Sequence, residues 1–247
     1  MPTPDRPSIT DAARRWVEGR RPKPGVESLV HEALTSFVAG SYFGMADRLR
    51  RIHEIRRSMF NDPRTIGEAA GVIDSEQTTL DVVARTATQP EKGRLQFHLA
   101  RSLSPGTIVE LGTSIGISAA YLTLGLESGR GGRLVTIDRS VARTTIARRV
   151  WSELGLSGIE QILGPFGDVM TPVVAESTDL RLAYIDGNHR RDPTLSYLAA
   201  VEARMSSGVV LLDDIRWSDE MEEAWHEIVA QHPSSVDLGW VGLVIVH

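Results

Sequence analysis

Ile108-Val109-Glu110-Leu111-Gly112-Thr113-Ser114-Ile115-Gly116-Ile117-Ser118 decides the fold. The run opens as a short apolar strand, ends on an acid, turns through two glycines four positions apart and enters a helix-forming stretch. Glycine lets backbone pass close to a ligand, and a helix N-terminus presents free N–H groups to an anion. Outward from this segment, residues 107–111, 133–138, 159–163, 182–186 and 209–213 are short apolar runs with little polar alternation. Strands buried on both faces of a parallel sheet read this way. Helical stretches at 117–126, 142–154, 168–176 and 194–205 separate them, with Ala142, Ile146, Val150 and Leu154 at four-residue spacing. Gly155 and Gly208 sit where helix ends and strand entries favour glycine. Repeated β–α alternation predicts an α/β fold with an open, doubly wound, mostly parallel sheet and right-handed crossovers. After a helix at 219–230, strands at 236–240 and 242–246 are too close for a crossover. They must pair antiparallel, as a C-terminal hairpin that brings the sheet to seven strands.

Upstream the texture differs. Residues 1–24 are rich in proline and arginine and read as a flexible N-terminal segment. Residues 25–90 carry helical stripes (Leu29, Ala33 and Phe37; Met45, Leu49, Ile52 and Met59; Leu80, Val83 and Ala87) and read as an N-terminal helical extension. A further helix at 91–103, with Leu95, Leu99 and Leu103 on one face, opens the ligand-binding domain, 91–247. The 247 residues include no cysteine, which excludes disulfide scaffolds, thiolate metal sites and a cysteine nucleophile. No apolar run reaches the length of a bilayer span and the N-terminus is not a signal peptide, so a soluble, cytoplasmic protein is expected. Of 27 basic residues all but Lys23 and Lys92 are arginine, which narrows any search for a catalytic lysine. Residues 1–60 hold 11 basic against 7 acidic side chains and the remainder 16 against 25. Because the basic residues interleave with acids and apolar positions, a solvated helix face is favoured over a nucleic-acid arm.

The glycine spacing is not Gly-x-Gly-x-x-Gly, and an acid before the turn would repel a pyrophosphate. It suits a ligand with a cationic amino group and one carboxylate, as S-adenosylmethionine has. Asp138, at the end of the second strand, is placed to accept from both ribose hydroxyls, and Asp168 lies where an adenine amino group could donate. Each acid alone reads equally as a helix cap or a solvated loop residue. Their shared position at strand C-termini favours a ligand site.

Glu110-Leu111-Gly112-x-x-x-Gly116-x-Ser118-Ala119 resembles the cofactor motif of class I S-adenosylmethionine-dependent methyltransferases, especially the catechol and caffeoyl-CoA O-methyltransferase branch. The resemblance extends over about residues 90–247. It includes Tyr184-Ile185-Asp186-Gly187-Asn188-His189, the Leu211-Leu212-Asp213-Asp214 strand end and the closing hairpin. Asp213-Asp214-Ile215-Arg216-Trp217-Ser218, with Met221-Glu222-Glu223-Ala224-Trp225, is similar to generically described bacterial methyltransferases. The resemblance implies a Rossmann-like methyltransferase fold in which Glu110 and Ser118 hold the methionine end and Gly112, Thr113, Ser114 and Gly116 also bind the cofactor. It further implies Asp138 on the ribose, Phe166, Gly167 and Asp168 around the adenine, and Asp186 beside the cofactor.

In catechol-type relatives, acids at the fourth and fifth strand ends and a following Asn hold a divalent cation such as Mg2+. Asp186 and Asp214 match the acids, whereas the Asn position is Ile215, which cannot ligate; Asp213 or Asn188 would have to substitute. The same two carboxylates could instead hydrogen-bond the substrate. The family's catalytic lysine falls on His189, which suits a general base near neutral pH or a cap on the helix near Pro193. Trp217 and Trp225 are candidates for walls of the acceptor site or for core. The expected function is methylation of a small molecule at a hydroxyl, with Asp186 and His189 catalytic. The N-terminal helices would cover the acceptor or form a homodimer contact, with no membrane partner. The alternatives are an RNA or protein methyltransferase using Arg48, Arg50, Arg51, Arg56 and Arg57, or a cofactor-binding module without turnover. Overall acidity disfavours nucleic acid.

Overall fold

A computed structural model describes residues 8–68 and 77–247. Its centre is a seven-stranded sheet of β3 (Thr107–Leu111), β4 (Arg133–Asp138), β5 (Ile159–Leu163), β6 (Leu180–Ile185), β7 (Gly208–Leu212), β8 (Val236–Asp237) and β9 (Gly242–Val246). Their order is β5-β4-β3-β6-β7-β9-β8. The first five in that order pair in parallel, and β9 runs antiparallel to both β7 and β8. This is the expected architecture, hairpin included. From β3 the chain moves to one side through β4 and β5, then returns to build β6 and β7 on the other. A ligand cleft in an open α/β sheet forms at the carboxyl ends of the strands beside such a reversal. All five residues of β3 and of β7 are buried, whereas edge strand β5 carries the half-exposed Glu160 and Gln161. Polar residues there blunt an edge that would otherwise template further pairing.

Two hydrophobic clusters sandwich the sheet. One holds Val109, Leu111, Ile137, Ile185, Val210 and Leu212 with the helices α8 (Phe166–Glu176), α9 (Arg191–Glu202) and α10 (Asp219–Gln231). The other holds Ile108, Tyr184, Leu211 and Leu243 with α6 (Ile117–Ser128), α7 (Val141–Glu153) and the N-terminal helices. These are α1 (Ile9–Glu18), α2 (Val26–Val38), α3 (Ala46–Ser58), α4 (Leu80–Thr86) and α5 (Pro90–Ser102). A fully buried leucine or isoleucine contributes about 1.5–3 kcal/mol, so Leu34, Ile52, Leu95 and Leu99 tie the N-terminal helices firmly to the sheet. Helix α6, flanked by α5 and α3, is buried around nearly its whole circumference, as its run of Ala, Leu and Ile requires.

Two differences from the sequence reading concern the N-terminal part. The stretch expected to be flexible contains α1, capped by the Ser8 side chain on the Asp11 N–H, with Ile9, Ala12 and Ala13 buried. Thr10 anchors it by donating from its backbone N–H and its hydroxyl to Glu91 in α5, at 3.0 and 2.7 Å. Flanking prolines and arginines mask this short stripe. The expected helical layer also includes a two-stranded antiparallel pair, β1 (Thr65–Glu68) and β2 (Gln77–Thr79). No described helix is long and apolar enough to cross a membrane.

The register makes the site. Thr136, Glu110, Tyr184 and Leu211 are successive partners across β4, β3, β6 and β7, so they line up on one face. Tyr184 and Leu211 pack in the cluster shared with the N-terminal helices, and Val109 and Leu111 in the other. The polar row therefore faces the N-terminal helical layer.

Candidate active site

Two groups of side chains gather at the strand carboxyl ends. The first surrounds the glycine turn between β3 and α6. Gly112 (φ +113°) and Gly116 (φ +79°) both lie in the left-handed region that glycine enters freely. A β-carbon on Gly112 would lie 2.1 Å from the Asp186 carbonyl oxygen, so this glycine is needed for β3 and β6 to close against each other. A side chain at 112 would break the sheet end before it reached any ligand, contrary to the simplest sequence reading. At Gly116 a β-carbon would strike Trp151, whose indole N–H donates to the Gly116 carbonyl at 2.9 Å. Gly116 also caps α6, which has no side-chain N-cap, leaving first-turn N–H groups for an anionic ligand group.

Glu110 is fully buried. Thr136 donates to its Oε2 at 2.5 Å, and Thr113, with its hydroxyl 2.7 Å from that of Thr136, extends the chain. Its Oε1 is buried without a hydrogen-bond partner. Burial pushes the carboxyl up to about 7; the hydroxyls of Ser118 and Thr136 pull the other way and the Asp138 charge adds to the rise. A buried orphan carboxylate oxygen is costly unless a donor, best a cation, reaches it. Thr113 is turned into this network and is itself fully buried. Asp138 accepts from the backbone N–H of Ser114 (Oδ2, 2.8 Å) and of Ser140 (Oδ1, 2.8 Å), which fixes the turn and leaves each oxygen a second lone pair. Phe166 lies over Gly187, where a β-carbon would meet its ring at 2.4 Å, and stacks edge-on against Tyr197 at 5.8 Å. Nothing approaches a β-carbon built on Gly167, and Asp168 is exposed in the first turn of α8.

The second group contains the strand-end acids and His189. His189 Nε2 lies 3.6 Å from Asp186 Oδ1 and 3.9 Å from Asp214 Oδ2. Trp217, 65% exposed, stands 6.1 Å away ring to ring, whereas Trp225, 3% exposed, packs in the core and donates to Asp237. Trp217 is therefore an exposed ring beside His189, and Trp225 is core. The sequence reading missed Lys92 and Tyr184. Lys92, in the first turn of α5, donates to Asp213 Oδ1 and Oδ2 at 2.6 and 2.7 Å and lies 4.0 Å from Asp214 Oδ1. Its rarity as one of two lysines was the one available signal. Tyr184 places its hydroxyl 2.9 Å from Asp186 Oδ2 and 2.5 Å from Asp213 Oδ2.

Electrostatics drive these acids apart. Burial raises Asp186 well above the usual carboxylate range, reinforced by Asp213. Asp214 is raised by burial and then by Asp213. Burial would raise Asp213 too, but the Lys92 ammonium and the hydrogen bonds from Lys92 and Tyr184 outweigh it and hold that carboxyl low. Lys92 is in turn held above its usual value: burial opposes its charge, and Asp213, Asp186 and Asp214 overcome it. Tyr184 has a single phenolic proton, so its hydroxyl donates to one of the two carboxyl groups it touches at a time.

The donor set does not fit a divalent cation. Ile215, where a third ligand would stand, is 1% exposed in the core. Of the two substitutes, Asp213 is occupied by Lys92, and Asn188 donates to the Tyr197 hydroxyl at 2.5 Å. Among the described residues no three histidine or acidic side chains form a group able to hold a metal ion. Four of the five arginines proposed for nucleic acid have partners within the chain, and the fifth, Arg57, is exposed. Arg48 pairs with Glu127, Arg50 with Asp47 and Glu54, and Arg51 with Glu54 and Glu153. Arg56 is buried and donates to the Arg85 carbonyl.

A family model described as a methyltransferase domain matches residues 109–215. A Mycolicibacterium smegmatis protein named "Putative O-methyltransferase" is 30% identical over 151 residues, 60% of this chain and 69% of its own length. A namesake from Mycobacterium sp. (strain JLS) is 33% identical over 132 residues, 53% of this chain, and the match spans only 58% of that relative's length. Among solved structures, the O-methyltransferase from Bacillus cereus in complex with SAH superimposes with a TM-score of 0.58 at 18% identity. That match covers 86% of this chain and 97% of the other, and shows a shared fold. Domain match, mycobacterial relatives and sheet topology agree: the chain belongs to the class I S-adenosylmethionine-dependent O-methyltransferase family.

Proposed function

We propose that this chain methylates a hydroxyl group of a small molecule, using S-adenosylmethionine. The observation that carries the reading is Glu110: a fully buried carboxyl beside a glycine turn and an uncapped helix, with one oxygen lacking any partner. An ammonium of the ligand would satisfy that oxygen, while α6 N–H groups receive the ligand's carboxylate. Asp138 has lone pairs left for ribose hydroxyls, and the Phe166–Gly187 contact forms an apolar ledge where a purine can lie. When bound, S-adenosylmethionine supplies the electrophilic methyl group and a neutral thioether leaving group.

The chain's own share of the chemistry is orientation and proton removal. His189 sits between Asp186 and Asp214 at a neighbouring strand end, and its neutral imidazole can take the acceptor's hydroxyl proton as the new O–CH3 bond forms. Both carboxyl groups face the imidazole, at 3.6 and 3.9 Å. Trp217 gives a planar acceptor a face to lie on. Arg48, Arg50 and Arg51 of α3 pair with acids and Arg56 is buried, which supports a small acceptor over RNA. The test is incubation with methyl-labelled S-adenosylmethionine and a panel of phenols and other hydroxyl compounds, with bulk RNA and protein as parallel acceptors. Label in a small-molecule product is expected; label entering only the macromolecules refutes the reading.

A further inference from the structure

We propose that Lys92 is the built-in cation of this site: its ammonium neutralises the strand-end acids that a divalent ion would otherwise serve, so methyl transfer by this chain needs no metal. The proposal rests on the methyltransferase reading for its consequence on turnover, and on geometry alone for its consequence on cation binding.

The geometry is specific. Lys92 comes from the first turn of α5, 121 positions before Asp213, and its side chain is only 17% exposed. It takes both oxygens of Asp213, at 2.6 and 2.7 Å. The remaining capacity of that carboxylate is also used: Oδ1 accepts the Asp214 N–H at 2.8 Å and Oδ2 the Tyr184 hydroxyl. A metal could reach Asp213 only by expelling the lysine. The ammonium also lies 4.0 Å from Asp214 Oδ1 and so repels a divalent ion from the other open acid. Asp186, the remaining acid, is held through Tyr184 to the same carboxylate. A lysine cation cannot be removed by a chelator, and it holds Asp213, and through it Tyr184 and Asp186, as one unit at the strand ends. Lys92 acts through these groups and is a positioning residue.

The experiment titrates Mn2+ into the full-length wild type, Lys92→Met and Lys92→Arg, read by calorimetry and thermal melts. Turnover is measured in parallel with chelator and with millimolar Mg2+, and S-adenosylmethionine binding in the same samples. Expected are no stoichiometric Mn2+ binding by wild type or Lys92→Arg and turnover indifferent to chelator. Lys92→Met, which leaves three acids without their cation, should bind Mn2+ at least about tenfold tighter than wild type and gain thermal stability from it. Tight Mn2+ binding by wild type overturns the proposal, as does turnover lost on chelation and restored by Mg2+. A folded Lys92→Met that binds Mn2+ no better than wild type overturns it equally. Should that variant not fold, the wild-type arms decide. Loss of the methyltransferase reading would appear separately, as absent S-adenosylmethionine binding, with the Mn2+ result unaffected.

Discussion

The contact proposed at Glu110 should make cofactor binding a proton-linked event. The Glu110 carboxyl titrates at about 7 because it is buried, so near neutral pH the free protein holds it only half ionised. An ammonium docking on Oε1 needs the ionised form. About 3% is ionised at pH 5.5 and about half at pH 7, so affinity for S-adenosylmethionine should rise roughly 15-fold over that interval and then level off. Calorimetry at pH 6 in two buffers of different protonation enthalpy should register release of nearly one proton per ligand. Glu110→Gln should flatten the profile and weaken binding about 10- to 100-fold through the lost charge-assisted bond.

The same residue has a signature without ligand. The folded state binds its proton more tightly than the unfolded chain, whose glutamate titrates at the ordinary 4.5. This contribution is therefore full below 4.5 and lost as pH rises through about 7, to the extent of about 3 kcal/mol. Glu110→Gln should stabilise the free protein at pH 8 and give no gain at pH 4.5. Affinity that is constant from pH 5.5 to 7, with no proton released, would show that no cation meets Glu110 and would remove the main support for the ligand assignment.

Two further outcomes are expected. His189→Ala should lower turnover by about two to four orders of magnitude with cofactor affinity unchanged, and the deficit should shrink at high pH as the acceptor ionises unaided; normal turnover would make His189 structural. His98 is buried with both ring nitrogens unpartnered, and burial followed by the charges of Arg101 and Arg94 lowers it to about 4. The unfolded chain takes up that proton at 6.5, so this contribution is full above 6.5 and lost as pH falls toward 4, by about 3 kcal/mol. It runs opposite to that of Glu110. Urea melts at pH 7 and 5 should show a steeper acid loss in Glu110→Gln than in wild type, and little loss in His98→Leu; equal slopes in all three would refute both assignments.

The glycine turn proposed to hold the cofactor could be read from the sequence because it is contiguous. Strand, acid, glycine turn and helix entry fall within Thr107 to Ser118, and short-range spacing suffices to read them. The sheet was legible for a related reason: β3 and β7 are buried on both faces and show as unbroken apolar runs. The acceptor half depends on contacts that no local pattern encodes. Lys92 and Asp213 meet across 121 positions, and Tyr184 reads as an ordinary strand aromatic until the register sets it between two acids. Trp217 and Trp225 have equal standing in the sequence, yet one is exposed beside His189 and the other is core.

Two acids that read as ligands also hold strained backbone in place. Six non-glycine residues among those described have positive φ, and four of them, Ser114, Asn188, His189 and Asp214, sit at the carboxyl ends of β3, β6 and β7. Such conformations cost about 1–3 kcal/mol each and persist only when surrounding bonds fix them. Asp138 binds the Ser114 N–H, Asp213 binds the Asp214 N–H, and Asn188 is held by Tyr197. Asp138 and Asp213 are thus anchors of the loops as well as charges in the site, and substituting either disturbs geometry and electrostatics together. His189 and Glu110 carry no such backbone bond among those described. A substitution at either removes no loop anchor of this kind, so His189 can be probed for proton removal and Glu110 for the cation without disturbing one.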